Sequence, residues 1–140
     1  MKKILLPTDF SDNSFEAIRY ALLTYKDVKC TFYLLHTYNP PVYQTEFILG
    51  SPSLVELTNI LEETATIKLE QLKLQLVNQY SNSNHTFILR TAFNTLQNEI
   101  SELTAAENLD LVVMGTKGAT GAKEILFGSN TVHVIKKSKC

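Results

Sequence analysis

The chain has 140 residues, a length that suits one domain, and 44% of them are hydrophobic, enough to build a single core. Thirteen basic against fourteen acidic residues give a formal net charge of -1, which argues against nucleic acid or an anionic membrane as a partner. Cys30 and Cys140 form no CxxC or Cys/His cluster, so neither a disulfide scaffold nor structural zinc is expected, and the reading is a reduced, cytoplasmic protein.

The opening "MKKILLPTDF" has the charged start of a signal peptide, but Pro7 and Asp9 stop its apolar run well short of an h-region. No other segment approaches the ~20 apolar residues of a membrane span. The run is therefore read as a first strand. From Phe15 the period changes, with Phe15, Ile18, Leu22 and Tyr25 on one helical face, and Asn13 with Glu16 as the capping pair. "CTFYLLHT" reads as a buried second strand, with Cys30 as a small core residue, and the proline-rich "YNPPVYQTEFILGSPS" as a long loop. Leu54, Leu57, Leu61, Ala65, Leu69, Leu72 and Leu76 step by threes and fours along a long amphipathic helix. "HTFILRT" is a third strand. Leu96, Ile100 and Leu103 mark a third helix behind an Asn94/Gln97 cap, and "LDLVVM" is a fourth strand. In the last segment, "NTVHVIKKSKC", Val132 and Ile135 precede a basic run suited to a helix C-terminus.

Strand and helix in strict alternation imply a parallel sheet covered on both faces, whose ligand crevice lies beyond the carboxyl ends of the strands, where strand order reverses. Two strand ends are irregular: "PTDFS" after the first, and "MGTKGATGAKEILFGSN" after the fourth, with four of the chain's five glycines. Glycines simply turn the chain in many proteins. Clustered at a strand end they also let backbone N–H groups approach an anion, and Gly128-Ser129-Asn130 stands where the final helix begins, so its N–H groups and the helix dipole suit phosphate. "GATGAK" is not a Walker A loop, since Gly121 is followed by Ala122, Lys123 and Glu124, and no GxGxxG follows the first strand. The plainer and lesser reading of Asp9 is a cap or dipole partner of the first helix. His36 and His133 have no patterned acidic or cysteine neighbour and read as core or surface histidines. Ser129 is not in GxSxG, so it suits phosphate donation better than nucleophilic attack.

Gly115, two residues, Gly118, nine residues, then Gly128-Ser129, with "LLPTDFS" at the start and "LLHTY" closing the second strand, resembles the ATP-binding branch of the universal stress protein family over nearly the whole chain. The resemblance implies a Rossmann-like, adenine nucleotide hydrolase-like α/β three-layer sandwich in a single domain spanning 1–140. It implies that Pro7, Thr8 and Asp9 lie against adenine and ribose, and that the main chain at Thr37 meets the adenine edge. Met114 and Gly115 would line the ribose side, and Gly118, Gly128, Ser129 and Asn130 would hold the phosphates. Many members have a small apolar residue in place of Asn130.

The implied function is an ATP-binding regulatory module of the stress response, with no catalytic residue assigned. ATP or another adenine nucleotide would be the ligand, with Mg2+ or Mn2+ bound through its phosphates, and a regulatory protein the partner. A slow ATP hydrolase and a nucleotide-free interaction domain remain the alternatives, although no arranged general base is evident for the first. The family normally continues with a proline and a fifth strand, whereas this sequence stops at Cys140, as either a truncated form or one half of a longer, tandem arrangement. The expectation is thus a four-stranded parallel sheet with an open edge at its fourth strand, which either pairs with a second copy as a homodimer, the favoured outcome, or leaves a weaker, more aggregation-prone monomer.

Overall fold

A computed structural model of the chain describes residues 1–38 and 53–115, the side chains of 53–55 excepted. The long loop after Tyr38, the glycine stretch beyond Gly115 and the final basic segment lie outside the described residues. Within them, β1 (Lys2–Pro7), α1 (Asp12–Thr24), β2 (Cys30–Tyr38), α2 (Ser53–Gln79), β3 (His85–Phe93), α3 (Leu96–Glu107) and β4 (Leu111–Val112) alternate as the sequence predicts. The strands form one parallel sheet in the order β3-β2-β1-β4.

Helices cover both faces because alternate strand residues are apolar on both. On one face Ile4, Leu6, Phe32 and Leu34 of the sheet pack with Ile18 and Leu22 of α1 and Leu69, Leu72 and Leu76 of α2. On the other face Leu5, Tyr33 and Leu35 pack with Ile100 and Leu103 of α3. Each such side chain, fully buried, stabilises by about 1.5–3 kcal/mol relative to exposure. The first face holds more of them because two crossovers, β1-α1-β2 and β2-α2-β3, lie on it. The third crossover lies on the opposite face and brings the chain to the far side of β1. Strand order therefore reverses between β1 and β4.

Both helix starts differ from the capping pairs expected. The N-cap of α1 is Ser11, whose hydroxyl accepts from Ser14 N–H at 3.2 Å; Asn13 already lies inside the helix, and Glu16 pairs instead with Arg19. The N-cap of α3 is Thr95, accepting from Asn98 N–H, while Asn94 lies one residue before it and donates to Glu99. In each case a nearer hydroxyl serves the free helix N–H groups and displaces the amide. The end of α3 is fixed by Asn108 in the left-handed region at φ 54°, a conformation Asn tolerates. The run "LDLVVM" yields a ladder of only Leu111–Val112, with Val113 N–H still donating to the Leu5 carbonyl at 3.0 Å. β3 runs two residues beyond its expected end, to Phe93. Cys30 is buried, as expected.

Candidate functional site

At the carboxyl edge of the sheet, β1 ends at Pro7, which pairs with Leu35, and the register with β4 runs Ile4 to Leu111 and Leu5 to Val112. Extending that register brings Met114 and Gly115 level with Pro7 and Thr8. Six of the expected site residues, Pro7, Thr8, Asp9, Thr37, Met114 and Gly115, therefore gather at the point where strand order reverses. Gly118, Gly128, Ser129 and Asn130 lie outside the described residues, as does His133.

The turn from β1 into α1 is held by a directed set of hydrogen bonds. Thr8 N–H donates to the Leu35 carbonyl at 2.8 Å, the last rung joining β1 to β2. The Ser11 carbonyl can only accept, so the Ser14 hydroxyl donates to it at 2.8 Å, and the buried Thr8 hydroxyl, 2.9 Å from Ser14 Oγ, must donate to Ser14. Phe10 N–H in turn donates to Thr8 Oγ1 at 3.0 Å. Asp9 is exposed and accepts from both the N–H and the hydroxyl of Ser11. It thus braces the capping residue of α1 and is not itself the cap. The motif "PTDFS" reaches Ser11 but not Ser14, and neither is marked by the sequence as part of the cap, although their spacing of three is that of a cap and the amide it serves.

Phe10 sits at φ 65°, an unusual conformation for a bulky residue. Its ring meets the His36 imidazole at a centroid distance of 4.7 Å, and Lys68 Nζ lies 5.5 Å from its centroid. His36 Nδ1 is 2.8 Å from the Thr8 carbonyl; a carbonyl only accepts, so Nδ1 carries the proton. His36 is thus neither the core nor the surface histidine that the sequence suggests, but a side chain gripping the end of β1.

Thr37 lies two residues past the last β1–β2 pair. Along β2, Leu35 offers its carbonyl to β1, whereas Cys30 and Tyr38 bond towards β3 through Asn84 and Asn94. By the alternation of a parallel ladder, both the N–H and the C=O of Thr37 face the β1 side. The pairing of β1 with β2 has ended by then, and no backbone bond joins Thr37 to Thr8. Beside it, burial first and the charge of Glu62 next raise the pKa of the Tyr38 phenol.

Met114 and Gly115 have packing duties that the sequence did not reveal. The Met114 side chain packs against the core on the α3 face. A Cβ on Gly115 would stand 3.1 Å from the Asn13 carbonyl oxygen, so the absent side chain lets the end of β4 lie against the first turn of α1. Among the described residues, no group of three or more His, Cys, Asp or Glu could hold a metal ion, and no helix is long and apolar enough to cross a membrane.

Comparison with known proteins gives this geometry its setting. The model of the Universal stress protein family matches residues 1–140. The chain is 32% identical over 139 residues to universal stress protein MJ0531 of Methanocaldococcus jannaschii, an alignment covering 99% of this chain and 78% of that protein. It is 32% identical over 150 residues to universal stress protein MJ0577 of the same organism, covering 98% and 90%. The solved structure of MJ0577 superposes with a TM-score of 0.81 over 99% of this chain and 90% of that one, at 31% identity. A more distant likeness, in fold alone, is to an Arabidopsis thaliana universal stress protein family member with AMP bound, at TM-score 0.60 and 12% identity, covering 100% and 88%. A family match along the whole chain, relatives at 32% identity, a superposable solved structure and the sheet order β3-β2-β1-β4 agree: the chain belongs to the universal stress protein family.

Proposed function

We propose that the chain is an adenine-nucleotide-binding regulatory module that takes ATP in the crevice between the ends of β1 and β4. The observation that carries this reading is the peptide edge of Thr37, turned to the β1 side beyond the last rung of the ladder. One N–H donor and one C=O acceptor on the same edge complement adenine, whose N1 accepts and whose N6 amino group donates. Asp9, exposed beside this edge, suits the ribose hydroxyls, and the main chain at Met114 and Gly115 suits the other side of the sugar. The AMP bound by the Arabidopsis relative lends the reading support at the level of fold. The phosphates would then meet the N–H groups of Gly118, Gly128, Ser129 and Asn130, and a Mg2+ or Mn2+ ion would enter with the phosphate oxygens. Occupancy would order the glycine segment and alter a surface offered to a protein partner.

The deciding experiment is mass analysis of small molecules released from the purified, denatured protein, followed by calorimetric titration with ATP, AMP and GTP. The reading expects an adenine nucleotide in the release and heat with ATP but far less with GTP. Absence of any adenine compound together with silent titrations would overturn it. The phosphate arm is separable, because a β-branched side chain at Gly118 or Gly128 would obstruct close approach of the backbone to phosphate. Gly118→Val and Gly128→Val should each abolish the advantage of ATP over adenosine while the far-ultraviolet circular dichroism stays native.

A further inference from the structure

The parallel ladder between β1 and β2 stops one rung short of where its alternation could carry it. Thr8 N–H bonds to the Leu35 carbonyl, and continuing the alternation would have Thr37 N–H donate to the Thr8 carbonyl. That rung is missing, and the pairing ends at Pro7 and Leu35. The Thr8 carbonyl is instead taken at 2.8 Å by His36 Nδ1–H, from a side chain of the very strand that should have supplied the backbone donor. We infer that His36 is a positioning residue for the nucleotide: by occupying the Thr8 carbonyl it ends the ladder and keeps the Thr37 peptide edge available to adenine. The inference rests on the adenine reading of that edge.

Two further observations hold the imidazole to this task. The Phe10 ring lies against it at 4.7 Å, and Phe10 reaches that position through a backbone conformation that bulky residues seldom adopt. Phe10 N–H is also tied to Thr8 Oγ1, so the residue that clamps His36 and the residue His36 grips belong to one turn. β2 meanwhile continues through Thr37 and Tyr38 against Ala92 and Phe93 of β3, so its edge stays extended and in place with no partner strand on the β1 side among the described residues. Tautomer and function are thereby linked, since only the Nδ1–H form can donate to a carbonyl from this position.

The test compares His36→Leu, which has no donor, with His36→Asn, whose amide N–H stands the same number of bonds from the backbone as Nδ1. With adenosine as the probe, His36→Leu should bind about tenfold more weakly than wild type, the scale of one lost neutral hydrogen bond, and His36→Asn should recover most of the loss. Without ligand, the Thr37 amide should exchange with solvent more slowly in His36→Leu than in wild type, because the missing rung can now form. A merely structural histidine would lower the melting temperature and leave that amide alone. Unchanged adenosine affinity, or unchanged Thr37 exchange, in His36→Leu would overturn the inference. So would an Nε2–H tautomer for His36 in the wild-type protein, read from its ring 15N shifts, a measurement that needs no variant to fold. If wild type bound no adenosine, the nucleotide reading would fall with it, whereas exchange at Thr37 would still report separately whether His36 holds the ladder open.

Discussion

At the amino end of the sheet His85 Nε2–H donates to the Tyr25 carbonyl at 2.9 Å, and at the carboxyl end His36 Nδ1–H donates to the Thr8 carbonyl at 2.8 Å. Each imidazole grips a backbone carbonyl, but the surroundings differ. His85 sits edge-on to the ring of Phe32 at 4.8 Å, its Nδ1 is buried without a hydrogen-bond partner among the described residues, and it helps line a cavity of about 160 Å³ with Leu22, Tyr80 and Asn82. It joins the end of α1 to the start of β3, and its grip closes the structure. His36 sits in a web of hydroxyls and amides, beside an exposed carboxylate and a peptide edge that has no strand to pair with on the β1 side among the described residues, and its grip keeps the structure open. The same chemical contact can thus serve packing at one end and recognition at the other, and what decides is whether the neighbouring strand has a partner.

This contrast predicts that changes at the amino end act on stability and those at the carboxyl end on affinity. The largest effect belongs to Phe32, which has no exposed surface and contacts the rings of both His85 and Phe87. Phe32→Ala should destabilise by about 3–5 kcal/mol in urea denaturation, with AMP affinity intact wherever the variant remains folded. A parallel loss of AMP binding in the folded variant would break the division between the ends.

Gly115 should blur that division in a defined way, since it lies at the carboxyl end yet serves packing. Valine there would drive its branched carbons into the first turn of α1, where the Asn13 carbonyl oxygen already stands 3.1 Å from the Cβ position. An overpacking loss of about 1–3 kcal/mol is expected, with Gly115→Ala well below it because a shift of a few tenths of an ångström suffices. Equal stability of both variants with wild type would mean that β4 does not hold its end against α1.

Asp9 gives the cleaner contrast. Asp9→Ala removes a carboxylate that braces Ser11 at an exposed turn, so its folding penalty should be small. AMP and ATP should both weaken by about 1–3 kcal/mol, the scale of a hydrogen bond to a charged group, because the residue is proposed to meet the nucleoside common to both. Weaker ATP with unchanged AMP would reassign it to the phosphates.

What the sequence made legible here was mainly periodic. Strand and helix order, the parallel sheet and the switch point follow from apolar runs such as Ile4–Leu6 and from the steps Leu69, Leu72 and Leu76, because burial acts on every such residue in the same direction. Helix starts were less legible because the competition is local: Ser11 outcompetes Asn13, and Thr95 outcompetes Asn94, on geometry that composition does not encode. The candidate site was legible as residue types, through Asp9 and Thr37, but not as relations between them. That His36 would take the Thr8 carbonyl depends on a missing rung, and that Gly115 would admit the first turn of α1 depends on two elements over 100 positions apart in their order along the chain meeting in space. Neither leaves a periodic trace.

The smallest predicted effect lies at the amino end and concerns a single thiol. Burial pushes the Cys30 thiol up from its ordinary value of 9.0, with the positive charges of Lys2 and the N-terminus pulling partly back. As pH rises, the unfolded chain releases this proton first, so between the ordinary and the folded-state values the folded chain binds the extra proton. The stability contributed by the neutral, buried thiol is therefore whole below pH 9 and is lost as pH rises through the folded-state value. Tyr33 behaves in the same sense from 10.0 upward, raised by burial and then by Glu107, so the thiol must be isolated by difference. Urea midpoints measured from pH 8 to pH 10 should decline more steeply for wild type than for Cys30→Ala, which keeps Tyr33 and loses the thiol. Coincident slopes would mean that Cys30 ionises as freely in the folded protein as in the unfolded chain, and the amino end would then be as open to water as the carboxyl end.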